Sequence, residues 1–241
     1  MKYGIFSDVH SNLEAFEVAL DYLKSESVDK FVFLGDIVGY GANPNECTSL
    51  LKSLNAVCVA GNHDLAAIKQ LSTYNFNSYA REAIDWTSLQ LNDKSKKYLQ
   101  TFKFTYQQDD FICVHASLMN PENFDYVRNR IDAAASFSVL DRRLCFIGHS
   151  HRIGIYSLKN DNIFESREQI LHLGQNERYI INVGSIGQPR DRDPRAGVCL
   201  YDSDKGLVKF MRLDYNIKKA ADKIFKEGLP SALALRLYDG R

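Results

Sequence analysis

Val57-Cys58-Val59-Ala60-Gly61-Asn62-His63-Asp64 is an apolar run that stops at a glycine and then offers an amide, an imidazole and a carboxylate. Four other runs in the chain end in a similar way. Tyr3-Gly4-Ile5-Phe6 leads to Asp8 and His10, and Phe31-Val32-Phe33-Leu34 leads to Gly35-Asp36. Phe111-Ile112-Cys113-Val114 leads to His115, and Leu144-Cys145-Phe146-Ile147 leads to Gly148-His149-Ser150-His151. Short apolar runs bounded by glycine and polar turns are predicted to be buried strands. In open α/β sheets, ligands bind beyond the carboxyl ends of the strands. If these strands are neighbours, one rim collects two carboxylates, an amide and five of the chain's 6 histidines. Asp8 and His10 are spaced i, i+2 at a strand end, as are His149 and His151, so each pair is expected to point to one face.

Between the first strands lie helical patterns. Leu13, Phe16, Leu20 and Leu23 make one apolar stripe, with Ser11 and Glu14 as its expected capping box. Cys47, Leu50, Leu51 and Leu54 repeat the pattern after Pro44. The first sixty residues thus read β-α-β-α-β, which predicts parallel strands with right-handed crossovers. Leu65 to about Asn92 reads as mostly helical, and Asp93 to Leu99 as another helix. The second half changes to short strand candidates at Phe102–Gln107, Ile153–Leu158, Ile170–Leu173, Tyr179–Val183, Val198–Tyr201 and Leu207–Leu213. Tight polar joins such as Lys159-Asn160-Asp161-Asn162 and Ser203-Asp204-Lys205-Gly206 predict antiparallel hairpins there. Ile217, Ala221, Ile224 and Phe225 predict a helix near the end, and a last short helix is expected after Pro230. No linker or repeat divides the chain, so residues 1–241 are expected to form a single domain.

The 30 basic and 30 acidic residues cancel, so no general nucleic-acid footprint is expected. The cysteines are 47, 58, 113, 145 and 199, an odd and scattered set without a C-x-x-C pair, which implies reduced thiols rather than a disulfide framework. The chain opens directly on a strand, and no stretch approaches the roughly 20 apolar residues of a membrane span. A soluble, cytoplasmic protein is the expectation.

A histidine beside an apolar run is usually a packed core residue, and His172, in an apolar strand pattern outside every motif, is read as structural. Five ligand-type motifs together are harder to explain by packing, because buried polar groups cost free energy unless paired. Carboxylate, imidazole and amide without thiolate suit Mn²⁺, Fe²⁺/Fe³⁺, Zn²⁺, Co²⁺ or Ni²⁺, with Mn²⁺ favoured. Eight candidates are too many for one ion and about right for two that share a carboxylate.

In order and spacing, these motifs resemble those of the calcineurin-like metallophosphoesterase superfamily. Gly39-Tyr40-Gly41, Gly184-Ser185-Ile186-Gly187-Gln188-Pro189-Arg190-Asp191 and Asp193-Pro194-Arg195-Ala196 are similar to a subgroup of small prokaryotic phosphodiesterases and diadenosine-tetraphosphatase-like proteins. The resemblance implies a four-layer α/β/β/α sandwich of two mixed sheets flanked by helices. It also implies a dinuclear phosphoester hydrolase, a phosphodiesterase above all, in which a hydroxide shared by the metals attacks phosphorus. Asp8, His10 and His151 would hold one metal and Asn62, His115 and His149 the other, with Asp36 bridging. His63 would not ligate but would sit over the phosphate and stabilise or protonate the leaving oxygen. Asp64 would orient an imidazole or, alternatively, serve as the acid of a helix N-terminus. Many superfamily members carry an acid where this chain has Gly39, which bears on that acid's supporting role and not on Asp36.

Three arginines follow the Gly184-Ser185 motif. Arg190, Arg192 or Arg195 would contact substrate phosphate, with Arg190 favoured because it lies nearest the strand end; the alternative for all three is a solvated loop with internal ion pairs to Asp191 and Asp193. The aromatic residues of 74–86 form either a substrate-selecting lid or the buried face of a helical layer. The expected partner is a small phosphoester or nucleotide-type substrate, with no membrane, and with nucleic acid only as a substrate. A different reading is a catalytically inactive metal-site fold used as a protein-binding scaffold, as in the retromer scaffold subunit. Such members lack the histidine of the Gly-Asn-His motif, and this chain keeps His63. A β-lactamase-like dimetal hydrolase would show His-x-His-x-Asp-His, which is absent. A large Ser/Thr protein phosphatase would need long insertions.

Overall fold

The computed structural model describes all residues, Met1 to Arg241. The opening β-α-β-α-β reading holds. Strand β1 (Lys2–Phe6), helix α1 (Leu13–Ser25), β2 (Lys30–Phe33), α2 (Pro44–Ser53) and β3 (Val57–Cys58) follow in order. Parallel pairing joins β1 to β2 and β2 to β3. Pro44 occupies the first turn of α2, where its missing N–H costs nothing. The α1 cap is Asn12 rather than Ser11: its side chain accepts from Ala15 N at 3.2 Å. Ser11 has a left-handed backbone (φ 55°), outside the extended range that an N-cap normally uses.

The region from Leu65 to about Asn92, expected to be mostly helical, holds two helices with an irregular stretch between them. Helix α3 (Asn62–Ala67) is short, and α4 (Ser78–Gln90) starts only after an irregular stretch, capped by Asn77. Next come α5 (Asp93–Leu99), β4 (Thr105–Gln107), β5 (Phe111–Val114), a 3-10 turn at Pro121–Asn123 and α6 (Arg130–Val139). Helix α6 was not expected from its weak periodicity; Asn129, whose side chain accepts from Ile131 N and Asp132 N, starts it. The remainder is β6 (Leu144–Ile147), β7 (Ile153–Lys159), β8 (Asn162–Ser166), β9 (Ile170–His172), β10 (Arg178–Val183), β11 (Ala196–Asp202), β12 (Leu207–Leu213), α7 (Ile217–Lys226) and α8 (Ser231–Asp239). Both polar joins close antiparallel hairpins, β7–β8 and β11–β12. Asn160 and Asp161 both take positive φ, as a tight two-residue turn between twisted strands requires.

Two mixed six-stranded sheets result, in the orders β3-β2-β1-β11-β12-β9 and β4-β5-β6-β10-β7-β8. Three apolar cores separate four layers. Leu20, Leu51, Leu91 and Ile84 pack helices on the outer face of the first sheet. Ile5, Val32, Phe111, Phe146, Tyr179 and Tyr201 fill the space between the sheets. Ala133, Phe137 and Leu140 pack α6 on the outer face of the second sheet. The architecture is the α/β/β/α sandwich. Tail helices α7 and α8 close a fourth cluster with Tyr40 and α4. His172 is exposed on edge strand β9, outside the groups that the other histidines form.

Phe111 is central to the inter-sheet core. It is fully buried and meets Tyr3 edge-on at 5.0 Å, Phe146 at 5.6 Å and Tyr201 at 5.9 Å. Phe111→Ala leaves a hole that both sheets must collapse to fill, and is expected to cost about 3–5 kcal/mol. Urea unfolding monitored by circular dichroism checks this; a loss under about 1 kcal/mol would mean that the sheets repack freely.

Candidate metal centre

The ligand-type residues meet at one rim because parallel strands β1, β2, β5 and β6 end there. Asp8 and His10 were expected to share a strand face, as were His149 and His151. The structure corrects the reason. β1 ends at Phe6 and β6 at Ile147, so both pairs lie past their strands. Asp8, His10, Asp36, His149 and His151 all take left-handed backbone, with φ between 49° and 63°. Each such residue costs about 1–3 kcal/mol and persists only where its surroundings impose it. The turns send the histidines of the second pair to different partners: His151 faces His10 and His149 faces His115.

Two carboxylates organise the cluster. Asp8 Oδ1 lies 3.2 Å from His151 Nε2 and 3.7 Å from His10 Nε2. Asp36 Oδ2 lies 3.3 Å from His115 Nε2 and 3.7 Å from His10 Nε2, so a single oxygen faces both sides. The other oxygen of each is anchored to backbone: His149 N donates to Asp8 Oδ2 at 3.0 Å and His63 N donates to Asp36 Oδ1 at 2.8 Å. Asn62 opens α3 and lines a cleft of about 220 Å³ with His63 and His149.

The donor set fits a cation. Asp8 Oδ1, Asp36 Oδ2 and Asn62 Oδ1 are buried and accept no hydrogen bond. His10 Nδ1 lies 3.1 Å from Val38 O and His151 Nδ1 lies 2.6 Å from Gln188 O. Each ring therefore carries its proton on Nδ1, which donates to the carbonyl. Their Nε2 lone pairs then point at one another across 3.1 Å, an arrangement that needs a positive charge between them. On the other side His115 Nδ1 is tied to Leu34 O at 2.7 Å, and its Nε2 faces His149 Nδ1 at 3.1 Å. The donor atoms of Asp8, His10 and His151 all lie within 4.8 Å of one another, as do those of Asp36, His115 and His149. His63 offers a ring nitrogen in a third such group with His10 and Asp36. No cysteine belongs to the cluster.

Asp64 does not orient an imidazole. Its buried carboxylate accepts the N–H groups of Asp36 at 2.8 Å, Ile37 at 2.9 Å and Gly61 at 3.2 Å. It is the N-terminal acid of α3, and it holds the loop that carries Asp36. Two glycines are dictated by close approach. A Cβ on Gly61 would stand 2.0 Å from Asp36 Oδ1, and one on Gly39 would stand 2.5 Å from His63 Nδ1. The missing side chain at Gly39 thus gives the His63 ring its place. That ring packs against Tyr40 at 4.5 Å, His10 at 4.8 Å and Phe76 at 5.0 Å, and its Nδ1 has no partner.

Arg190 Nη2 donates to Gln188 Oε1 at 2.7 Å, and its guanidinium lies 5.5 Å from the Tyr40 ring centre. Arg195 instead pairs with Asp193 at 2.7 Å, and Arg192 is exposed. The aromatic residues of 74–86 divide: Phe76 contacts His63, whereas Tyr74 is 85 % exposed. Tyr126, which no motif marked, stacks on His149 at 4.0 Å. Phe124, two residues before it, has a left-handed backbone (φ 57°) that the sequence does not announce.

Burial lowers an imidazole's affinity for protons, and it holds His63 and His149 well below the usual range and His151 down to about 4. His115 is the exception. Burial is outweighed there by Asp36, which pushes the ring up to about 9. Burial likewise opposes ionisation of Asp36, yet His115 and His63 hold its carboxyl well below the usual range. Metal coordination needs a neutral ring. Loading the His115 side with Mn²⁺ near neutral pH is expected to expel about one proton, so affinity rises with pH until about 9 and then levels. Calorimetry in two buffers of different ionisation enthalpy measures that proton. Equal release from His115→Ala would assign it elsewhere.

The profile of the Calcineurin-like phosphoesterase superfamily domain matches residues 1–206. An uncharacterised protein of Methanocaldococcus jannaschii is 37% identical over 243 residues, covering 99% of this chain and 98% of its own. The crystal structure of a metallophosphoesterase from Sphaerobacter thermophilus superposes with a TM-score of 0.88 at 38% identity, over 100% of this chain and 99% of that one. A hypothetical protein from Pyrococcus horikoshii OT3 shares the fold at 20% identity with a TM-score of 0.78, over 100% and 98% of the two chains. The chain belongs to the calcineurin-like phosphoesterase superfamily and is a metal-dependent phosphoesterase.

Proposed function

We propose that this protein is a dinuclear phosphodiesterase acting on a small phosphoester or nucleotide-type substrate. Asp8, His10 and His151 would hold one divalent ion and Asn62, His115 and His149 the other, with Asp36 serving both; Mn²⁺ is the favoured ion. When bound, such a pair supplies Lewis acidity at phosphorus and a water of lowered pKa. The chain's own groups do the rest. Asp8 and Asp36 bring only two negative charges to the centre, so a loaded site stays positive and attracts an anionic phosphate. The backbone carbonyls of Val38, Leu34 and Gln188 fix the ring tautomers. Arg190 binds phosphate oxygens from the Tyr40 side. The aromatic cleft of Phe76, Phe124 and Tyr126 suits one esterified group and the Tyr40–Arg190 side the other, which favours a diester.

His63 carries the catalytic reading. It is buried beside the cluster with an unpartnered Nδ1, packed by Tyr40 and Phe76 rather than held by a carboxylate. Its ring is kept neutral by burial, and an arriving phosphate anion favours its protonated form. The ring then donates its proton to the leaving oxygen. A scaffold would have no use for an unpaired imidazole in that cleft.

Residues 1–241 act as one domain, since α7 and α8, beyond the superfamily match, pack on Tyr40 and α4. Four buried thiols and one half-buried one, all unpaired, suit a reducing cytoplasm. No helix is long and apolar enough to cross a membrane.

Mn²⁺-loaded wild type is expected to hydrolyse bis-p-nitrophenyl phosphate, and His63→Ala to lose about 10²–10⁴-fold in kcat at unchanged metal content. Full activity in that variant refutes the acid role. A matching drop in bound metal makes His63 a ligand. No turnover by wild type across a broad phosphoester panel moves the scaffold reading ahead.

A further inference from the structure

Two arginines converge on one neutral oxygen beside the cluster. Arg190 Nη2 and Arg236 Nη1 donate to the same Gln188 Oε1, at 2.7 and 3.3 Å. Arg190 sits in the loop after β10, whereas Arg236 comes from α8, beyond residue 206 where the superfamily match ends. Neighbouring arginines have carboxylates: Arg195 pairs with Asp193, and Arg212 with Asp191. Arg190 and Arg236 have no carboxylate and share the Gln188 amide oxygen instead. Arg190 Nε is buried with no acceptor at all. Burial, and then the charge of Arg190, weakens the hold of Arg236 on its proton.

Bringing two guanidinium groups together in a partly desolvated place costs free energy unless an anion joins them. Guanidinium forks match phosphate oxygens, and charge-assisted bonds of this kind are the strong ones. The position of the pair fixes which phosphate is meant. Tyr40 lies 5.5 Å from the Arg190 guanidinium, and 4.6 and 4.5 Å from the His10 and His63 rings. Arg236 reaches the same Gln188 oxygen from α8, whose apolar face packs in one cluster with Tyr40.

Resting on the hydrolase reading above, we infer that Arg190 and Arg236 form a subsite for a second phosphate group of the substrate, one that is not hydrolysed. The preferred substrate therefore carries at least two phosphates, joined by an anhydride or placed apart on one molecule. Arg236 sets this preference, and Arg190 serves both phosphates.

Calorimetric binding to the Mn²⁺-loaded protein at fixed free Mn²⁺ tests it, with adenosine 5′-monophosphate, adenosine 5′-diphosphate and adenosine 3′,5′-bisphosphate as probes. In wild type the second phosphate is expected to tighten binding about tenfold or more. A gain with the diphosphate assigns an anhydride-linked substrate, and a gain with the bisphosphate assigns phosphates placed apart. Arg236→Gln is expected to cut the gain to about twofold, and Arg236→Lys to keep part of it. Gln188→Glu supplies an internal counter-charge of the same shape, and is expected to abolish the gain even if Arg236→Gln folds poorly. No gain in wild type, or an undiminished gain in both Arg236→Gln and Gln188→Glu, overturns the subsite. Because binding is read without turnover, a protein that shows the gain yet hydrolyses nothing refutes the hydrolase reading and leaves the phosphate subsite in place.

Discussion

Two imidazole nitrogens that both present lone pairs across 3.1 Å are the constraint on which the rest of this molecule depends. His10 and His151 cannot relieve it by changing tautomer, because each Nδ1 is tied to a backbone carbonyl. Nor can the cluster be solvated, since Asp8, His10, Asp36, His115 and His151 are almost wholly buried. Positive charge is the remaining remedy. The sandwich supplies the rigid frame that keeps this unfavourable crowd together: two sheets clamp Phe111, Phe146 and Tyr201 between them and bring their parallel strand ends to one rim.

The same frame absorbs the backbone strain. Five residues of the cluster sit in left-handed conformation in the turns after their strands. Those turns aim each side chain, and small atoms elsewhere let the groups close up. Gly61 yields to Asp36 and Gly39 yields to His63. Asp64 is best understood in this light, as the clasp on the Asp36 loop and not as a participant in proton transfer.

Much of the site was legible in the sequence, for a simple reason. Each ligand-type residue directly follows an apolar run, and parallel strands place such ends side by side. What was not legible depends on distant partners. Asp and His do not announce left-handed backbone as glycine does, so the same-face argument for Asp8 and His10 reached the right neighbours by the wrong geometry. Helix α6 has little periodicity, and only Asn129 betrayed its start. Tyr126 stacks on His149 just past a left-handed residue, Phe124, that no motif marks. Arg236 had no motif at all, since its meeting with Arg190 requires α8 to fold back over Tyr40.

We propose that the cluster is built around two cations sharing Asp36. Anomalous diffraction at the manganese edge, from crystals grown with Mn²⁺, addresses it directly. Two peaks roughly 3.5–4 Å apart, with Asp36 between them, are the expected result. One peak, or two that Asp36 does not touch, would contradict the account.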